Sequence, residues 1–140
     1  MAIKADGTEV ATGDEVGKIY FAVNLFQNNL IIQTLHWHSD QVNALQFIDG
    51  APYLVSGGNE AVIVQWQLAK QDKTFVSRIG NAITNLSVSA NHYAVLLANN
   101  CLKVMRTDNN KSVLEARCFV PNSSLDYHDK MLLASHGQTL

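Results

Sequence analysis

Apolar and polar residues alternate in short runs along most of this chain, and no stretch of useful length follows the 3.6-residue spacing of a helix. The runs are separated by turns rich in Gly, Asn, Asp and Ser, which is typical of successive β-strands. The pattern therefore predicts an all-β fold. The predicted strands include 18–23, 30–35, 42–47, 53–55, 61–65, 73–78, 82–88, 93–97, 101–105, 112–117 and 131–134.

The segment Leu35–Leu68 has the most informative pattern. His38 precedes one predicted strand, Ser56 ends the next, Glu60 lies in the following turn, and Trp66 ends a third strand. An indole N–H only donates, a carboxylate only accepts, and a hydroxyl or a neutral imidazole does both. We expect these four side chains to form a buried hydrogen-bonded relay. Asp is more usual than Glu in this turn, so the extra methylene of Glu60 makes its link to His38 the least certain one.

This order of residues is the signature of a WD repeat, which forms one four-stranded antiparallel blade of a β-propeller. Equivalent strand-end turns begin at Gly13, Gly57, Ala98 and Ser135, at intervals of 44, 41 and 37 residues. WD repeats recur about every 40–45 residues. The sequence thus predicts a partial blade over 10–35 that lacks its opening strand, the best-formed repeat over 36–78, a degenerate repeat over 79–117, and the start of a further blade over 118–140.

The chain is short for a propeller. Its 140 residues supply about three and a half blades, whereas a closed ring needs roughly four to eight. We therefore expect a partial propeller that is a piece of a longer protein or a truncated gene model, with unpaired faces at its ends. The alternative is a compact β-sandwich.

Composition narrows the possible functions. The chain is 47% apolar and 16% charged with a net charge of −2, so it lacks the basic excess of an electrostatic nucleic-acid binder. It contains no apolar run long enough to cross a membrane and no signal-peptide core near its first residue. Cys101 and Cys118 lack metal-ligand spacing and are interpreted as reduced thiols of an intracellular protein.

The sequence contains little that indicates catalysis or metal binding. His36, His38 and Asp40 are too few for a zinc site without a second cluster, and Ser56 lacks the sequence context of a nucleophile. We therefore predict no catalytic, cofactor or metal site, and no small-molecule substrate. Trp37, with His36 beside it, could stack on an RNA base or contact a partner; the alternative is that Trp37 packs between neighbouring blades.

Four segments together suggest a more specific relationship: GDEVGKI at 13–19, LHWH at 35–38, SGGNEAV at 56–62 and FVSRIG at 75–80. They resemble the WD-repeat subunit of the early, transcription-linked subcomplex of the small-subunit processome. The resemblance implies a non-enzymatic scaffold of the nucleus and nucleolus that acts in pre-rRNA processing and is linked to rRNA transcription. It implies other WD-repeat proteins as partners, with contact to the pre-rRNA leader or a small nucleolar RNA through the complex. The alternative is a WD-repeat adaptor elsewhere, such as a substrate receptor or a chromatin subunit.

Overall fold

The computed structural model describes residues 1–24, 26–48, 50–70, 72–77 and 79–117, together with the backbone of 124–128 and 131–135. Every regular element in this described part is a β-strand, and strands that follow one another within a sheet pair antiparallel, which confirms the predicted all-β fold. The strands are β1 (Ala2–Ile3), β2 (Glu9–Gly13), β3 (Lys18–Val23), β4 (Ile31–His36), β5 (Val42–Phe47), β6 (Tyr53–Gly58), β7 (Ile63–Gln67), β8 (Asp72–Val76), β9 (Ile83–Val88), β10 (His92–Leu97), β11 (Cys101–Arg106), β12 (Ser112–Arg117), β13 (Ser124–His128) and β14 (Met131–Ser135).

These strands form three four-stranded sheets and one hairpin. Blade 1 contains β1–β4, blade 2 contains β5–β8, blade 3 contains β9–β12, and β13 pairs with β14. The first strands of successive blades lie side by side, β1 and β2 against β5, β5 against β9, and β9 against β13. No helix in the described part of the chain is able to span a membrane.

The prediction that blade 1 lacks its opening strand was wrong. Ala2 pairs with Ala11 and Ile3 pairs with Val10, so a two-residue strand completes the blade. Two residues are too few to display an alternating pattern, which is why the sequence did not indicate this strand. At the other end, the predicted turn beginning at Ser135 continues into residues 136–138, which lie outside the described residues, as does Cys118.

Strand register shows how the blades correspond. Gly13 pairs with Ile19 and Gly57 pairs with Ile63, which agrees with the alignment of these repeats made from the sequence. In blade 3 the corresponding pair is Leu96 with Leu102, so the equivalent of Gly57 is Leu96 rather than a residue at 98. A register shift between Leu96 and Leu97 in the β9–β10 ladder accompanies this offset.

Two apolar clusters fill the spaces between the blades. The first lies between blades 1 and 2 and includes Ile19, Phe21, Leu54 and Trp66. The second lies between blades 2 and 3 and includes Val55, Ile63, Ile83, Val95 and Met105. Each blade is one sheet thick, so it buries its faces only against its neighbours, and stability depends on the contacts between blades.

Glycine allows two of these contacts to be close. A Cβ at Gly13 would lie 2.7 Å from Cγ1 of Val42, and a Cβ at Gly57 would lie 2.9 Å from Cγ2 of Ile83. Gly13 and Gly57 occupy equivalent positions in blades 1 and 2. The residues that pack on them, Val42 and Ile83, are also equivalent, since each begins the first strand of the next blade. The same contact is therefore made at two successive junctions.

Candidate functional site: a buried relay beneath an exposed loop

The four residues of the predicted relay come from four different segments of blade 2. His38 lies in the link that joins β4 of blade 1 to β5, Ser56 lies on β6, Glu60 in the β6–β7 turn, and Trp66 on β7. Because side chains alternate along a strand, Ser56 and Trp66 point to the same face of the sheet, the face that is turned toward blade 1 and the link. The fold thus brings together side chains that are up to 28 residues apart in sequence.

Their polar atoms form a continuous chain. Trp66 Nε1 donates to Ser56 Oγ at 2.9 Å, Ser56 Oγ lies 2.8 Å from His38 Nε2, and His38 Nδ1 lies 3.1 Å from Glu60 Oε2. The indole can only donate and the carboxylate can only accept. With His38 neutral, these two ends determine the direction of every proton: Ser56 donates to Nε2, and the proton on Nδ1 is donated to the carboxylate.

Because the relay is buried, any polar group in it that lacked a hydrogen-bond partner would reduce stability. His38 and Ser56 are both fully buried, at 0% exposure. Among the described residues that are not exposed, no fully buried side-chain nitrogen or oxygen lacks a hydrogen-bond partner, so the relay is complete. A buried network of this kind stabilises a fold only when every member is paired, because each orphaned group costs about 1–3 kcal/mol.

The same burial determines the charges. Burial lowers the pKa of His38 below its ordinary value of 6.5, and the Glu60 carboxylate offsets this effect only in part. Burial acts to raise the pKa of Glu60, but hydrogen bonds from backbone N–H groups and from His38 outweigh it and bring that pKa below 4.5. A neutral imidazole therefore faces an ionised carboxylate at neutral pH.

The longer side chain of Glu60 gives it a second role. Its Oε1 accepts the backbone N–H of Ser39 at 2.6 Å and that of Asp40 at 3.0 Å, while Oε2 serves the relay. The carboxylate therefore ties the β6–β7 turn to the backbone of the link before β5. The link between Glu60 and His38, the least certain in the sequence, is present in the structure.

Blade 1 holds the other side of the same link. A Cβ at Gly17 would overlap the carbonyl of His38, and Gly17 has a φ of +87°, so both sterics and conformation require glycine there. The equivalent turn positions in blades 2 and 3 are Ala61 and Asn100, with φ of +61° and +62°. The link that carries His38 is thus held between two tight turns of the same geometry.

Trp37 stands on the outside of this link. Its ring lies 4.6 Å from the ring of Phe75 on β8 and meets the His38 ring edge-on at 5.3 Å. Trp37 is 37% exposed and Phe75 is 43% exposed, while His36 is exposed at the end of β4. Trp37 therefore packs on the next blade and also presents part of its ring to solvent. Phe75 was missed from the sequence, because only the register of β8 reveals which residue meets Trp37.

The relay is arranged for structure and offers no reactive group. A Ser56 nucleophile would need access to a substrate, but this side chain is fully buried and its proton is engaged by His38. Both ring nitrogens of His38 are engaged, so neither is free to coordinate a metal ion beside His36 and Asp40. Among the described residues, no group of three or more His, Cys, Asp or Glu side chains is placed to hold a metal ion.

Blade 3 fills the same positions with apolar side chains. By strand register Val95 corresponds to Ser56 and Met105 to Trp66, and Ile79 precedes β9 by the same distance that His38 precedes β5. Ile79, Val95 and Met105 are all buried in one cluster. One blade is therefore locked by hydrogen bonds and the next by apolar packing at equivalent positions.

Comparisons with known proteins place this architecture in context. A family model described as the first β-propeller of WD repeat-containing protein 75 matches residues 1–100. The chain is 34% identical over 102 residues to U3 small nucleolar RNA-associated protein 17 of Schizosaccharomyces pombe, covering 71% of this chain and 13% of that protein. It is 36% identical over 109 residues to WD repeat-containing protein 75 of Danio rerio, covering 76% and 12%. It thus spans only about an eighth of the length of these relatives.

A solved structure shows the fold. The WD40 repeats of RRP9 match 84% of this chain and 36% of that chain with a TM-score of 0.73 at 20% sequence identity. The structure of U3-55K matches 85% of this chain with the same TM-score. The predicted partial β-propeller is therefore confirmed.

Proposed function

This chain belongs to the family of the first β-propeller of WD repeat-containing protein 75, and we propose that it acts as a non-enzymatic scaffold in small-subunit ribosome assembly. In this proposal it forms part of the small-subunit processome, where it supports pre-rRNA processing and is linked to rRNA transcription. The observation that carries the proposal is the family match over residues 1–100. The name of the fission-yeast relative, which associates that protein with the U3 small nucleolar RNA, points in the same direction.

The contacts between blades suit a scaffold. The Gln46 side chain donates to the Val88 carbonyl at 3.1 Å and accepts the Val88 N–H at 2.9 Å, so it bonds blade 3 as another strand would. Tyr93 of blade 3 donates its hydroxyl to Gln65 of blade 2 at 2.8 Å. Such bonds hold neighbouring blades in a fixed orientation, which allows loops on different blades to engage partners at the same time.

The proposed partners are other WD-repeat proteins of the processome. Contact with the pre-rRNA leader or a small nucleolar RNA would be made through the complex, because the net charge of −2 gives this segment no general attraction for phosphate. The proposed location is the nucleolus. His36, the last residue of β4, and the exposed part of Trp37 are proposed as partner contacts, since they lie at the start of a link that the relay and Gly17 hold in place.

The proposal can be tested by isolating the tagged protein from nuclear extract and measuring the associated RNA. We expect the U3 small nucleolar RNA and precursor rRNA to be enriched over an untagged control, and depletion of the protein to cause unprocessed precursor to accumulate. A matched pair of variants, Trp37→Ala and the exposed Val113→Ala of blade 3, would locate the contact. Only Trp37→Ala should reduce the recovery of the other WD-repeat proteins. Recovery with a ubiquitin ligase or with chromatin, without either RNA, would contradict the proposal and favour the adaptor alternative.

A further inference from the structure

Strand β4 is an unusual outer strand. It is at the edge of blade 1, and within the described part of the chain it pairs with β3 alone, so no described strand pairs with the main-chain groups on its other side. Outer strands are normally protected from further pairing by charged residues or proline. The outer strands β8 and β12 follow this rule, with Asp72 and Lys73 on one and Glu115 and Arg117 on the other. The β4 sequence, IIQTLH, contains no such residue.

The apolar residues of β4 are exposed as well. Ile31 is 47% exposed and Ile32 is 63% exposed, and their side chains point to opposite faces of the sheet. An uncharged, apolar strand with a free edge is the arrangement to which another extended segment pairs most readily.

A groove of about 440 Å³ runs along this edge, between β4 and the end of blade 2 where β7 turns into β8. Four consecutive residues of β4 line one wall. Because neighbouring side chains on a strand point in opposite directions, a groove lined by four residues in a row lies against the main chain of β4 as well as against its side chains. Leu35 and His36 lie on one side of the groove, and Leu68, Asp72 and Lys73 lie on the other.

The charges along the groove favour an acidic occupant. Lys73 forms no ion pair with any described carboxylate, while Asp72, the only carboxylate in the lining, accepts the Lys73 backbone N–H at 2.8 Å. Lys70 is exposed in the turn that joins the two strands of blade 2. The groove also offers an apolar surface from Leu35 and Leu68, which are half-buried.

A single strand of RNA fits this groove less well. Stacking of bases requires an open aromatic face together with a positively charged track. In this region Phe75 packs against the ring of Trp37. The site instead offers a main-chain edge without a described strand partner and an apolar floor, and these recognise polypeptide.

We propose that β4 binds an extended peptide segment of a protein partner as a fifth strand of blade 1, with an apolar side chain over Leu35 and Leu68 and an acidic side chain beside Lys73. Main-chain hydrogen bonds to β4 supply the affinity, and the groove selects the side chains. The site does not depend on which complex contains the propeller.

The test uses the isotopically labelled 140-residue chain and the capped hexapeptide Thr-Leu-Thr-Glu-Thr-Thr, in which Leu and Glu lie on the same face of an extended strand, followed by NMR and amide hydrogen exchange. We expect the signals of residues 31–36 to shift, and the outward-facing amides of β4 to exchange roughly tenfold more slowly, while those of β8 and β12 do not change. The same peptide N-methylated at alternate residues keeps its side chains but loses the main-chain donors, and it should not bind. Equal binding of the methylated peptide, or equal protection of β8 and β12, would overturn the proposal.

Charge provides a second, independent measurement. Lys73→Glu should weaken binding of the acidic peptide by roughly fivefold, whereas the matched control Lys111→Glu, on exposed backbone before β12, should leave it unchanged. An unchanged affinity for Lys73→Glu would refute the acidic specificity. If oligouridylate perturbs the β4 signals and the peptide does not, the site recognises RNA and the proposal is wrong.

Discussion

Replacing Ser56 by alanine removes the central atom of the relay. Ser56 Oγ accepts the proton of Trp66 Nε1 at 2.9 Å and donates its own proton to His38 Nε2 at 2.8 Å. Alanine is smaller and creates little strain, so the substitution tests the hydrogen bonds themselves. The indole N–H and the imidazole nitrogen both remain in place and lose their only relay partner on that side.

The expected cost follows from the burial of the two groups that are left unpaired. His38 is fully buried and Trp66 is 6% exposed, so water cannot readily replace the lost hydroxyl. An orphaned buried polar group costs about 1–3 kcal/mol, and two of them should reduce the free energy of unfolding by about 2–5 kcal/mol. This is a large part of the roughly 5–15 kcal/mol that stabilises a typical domain.

Blade 3 suggests how the loss can be recovered. It carries Ile79, Val95 and Met105 at the positions of His38, Ser56 and Trp66. Replacing both partners of a buried hydrogen bond by apolar groups of similar total volume is often nearly neutral. The triple variant His38→Ile, Ser56→Val, Trp66→Met should therefore be more stable than Ser56→Val alone, by about 1–3 kcal/mol.

Urea unfolding followed by circular dichroism measures both effects, since it does not rely on the fluorescence of the tryptophan that is replaced. Ser112→Ala is the matched control: this serine is exposed on β12 and bonds only to the exposed Glu115, so its loss should change stability by less than about 0.5 kcal/mol. If Ser56→Ala were as mild as the control, the relay would contribute no stability. If the triple variant were less stable than Ser56→Val, the apolar side chains of blade 3 could not replace the polar relay of blade 2.

Four further substitutions or conditions test the same structure. Trp66→Ala should cost about 3–5 kcal/mol in urea unfolding, because it leaves a cavity between blades 1 and 2 as well as a broken hydrogen bond, and an unchanged midpoint would contradict this. In the same assay Glu60→Asp should reduce the free energy of unfolding only slightly if the shorter acid still reaches His38. Glu60→Gln should reduce it by about 1–2 kcal/mol, because a charged acceptor is lost. A larger loss for Asp than for Gln would be inconsistent with the role assigned to the Glu60 carboxylate. Folding lowers the pKa values of both His38 and Glu60, so the unfolded chain binds protons that the folded chain excludes, and stability should fall as the pH drops below about 6.5. The contribution of His38 to this fall is at most about 1.4 kcal/mol per pH unit. His38→Gln should remove the slope in thermal unfolding between pH 7 and 5, and a flat wild-type profile would refute the argument. Gly57→Ala should cost about 1–3 kcal/mol of stability, because it forces a Cβ against Ile83. Ile83→Ala should cost less when it is combined with Gly57→Ala than when it is made alone, and additive losses in this double-mutant cycle would rule out the contact.

Much of blade 2 could be predicted from the sequence because its polar residues have strict partners. A buried Trp, Ser, His and carboxylate at this spacing can satisfy one another in only one arrangement, so the pattern predicted both the strands and the link between blades. The opening strand of blade 1 could not be predicted in the same way. Ala2 and Ile3 carry no alternation, and their pairing depends on the position of Ala11 and Val10 in the folded sheet.

The groove beside β4 could not be predicted from the sequence either. Its two walls come from different blades, and the residues that meet across it are at least 30 positions apart. Only the relative position of the blades decides that Lys73 faces the edge of β4. The same holds for Phe75, whose contact with Trp37 depends on the register of the outermost strand pair of blade 2.

Blade 3 explains why the repeat pattern fades along the chain while the fold persists. A polar relay leaves a recognisable signature because few residue types can replace each member, whereas an apolar set can use any side chains of suitable volume. Ile79, Val95 and Met105 fill the relay positions and produce no WD motif, although they lie in the same places in the blade. The loss of the motif therefore marks a change in the kind of interaction that locks the blade. It follows that a blade locked by apolar packing should lack the acid sensitivity of blade 2, so mild acid should loosen the junction of blades 1 and 2 before that of blades 2 and 3. Hydrogen exchange of β6 and β10 at pH 5 and pH 7 would measure this difference, and equal loss of protection in both strands would refute it.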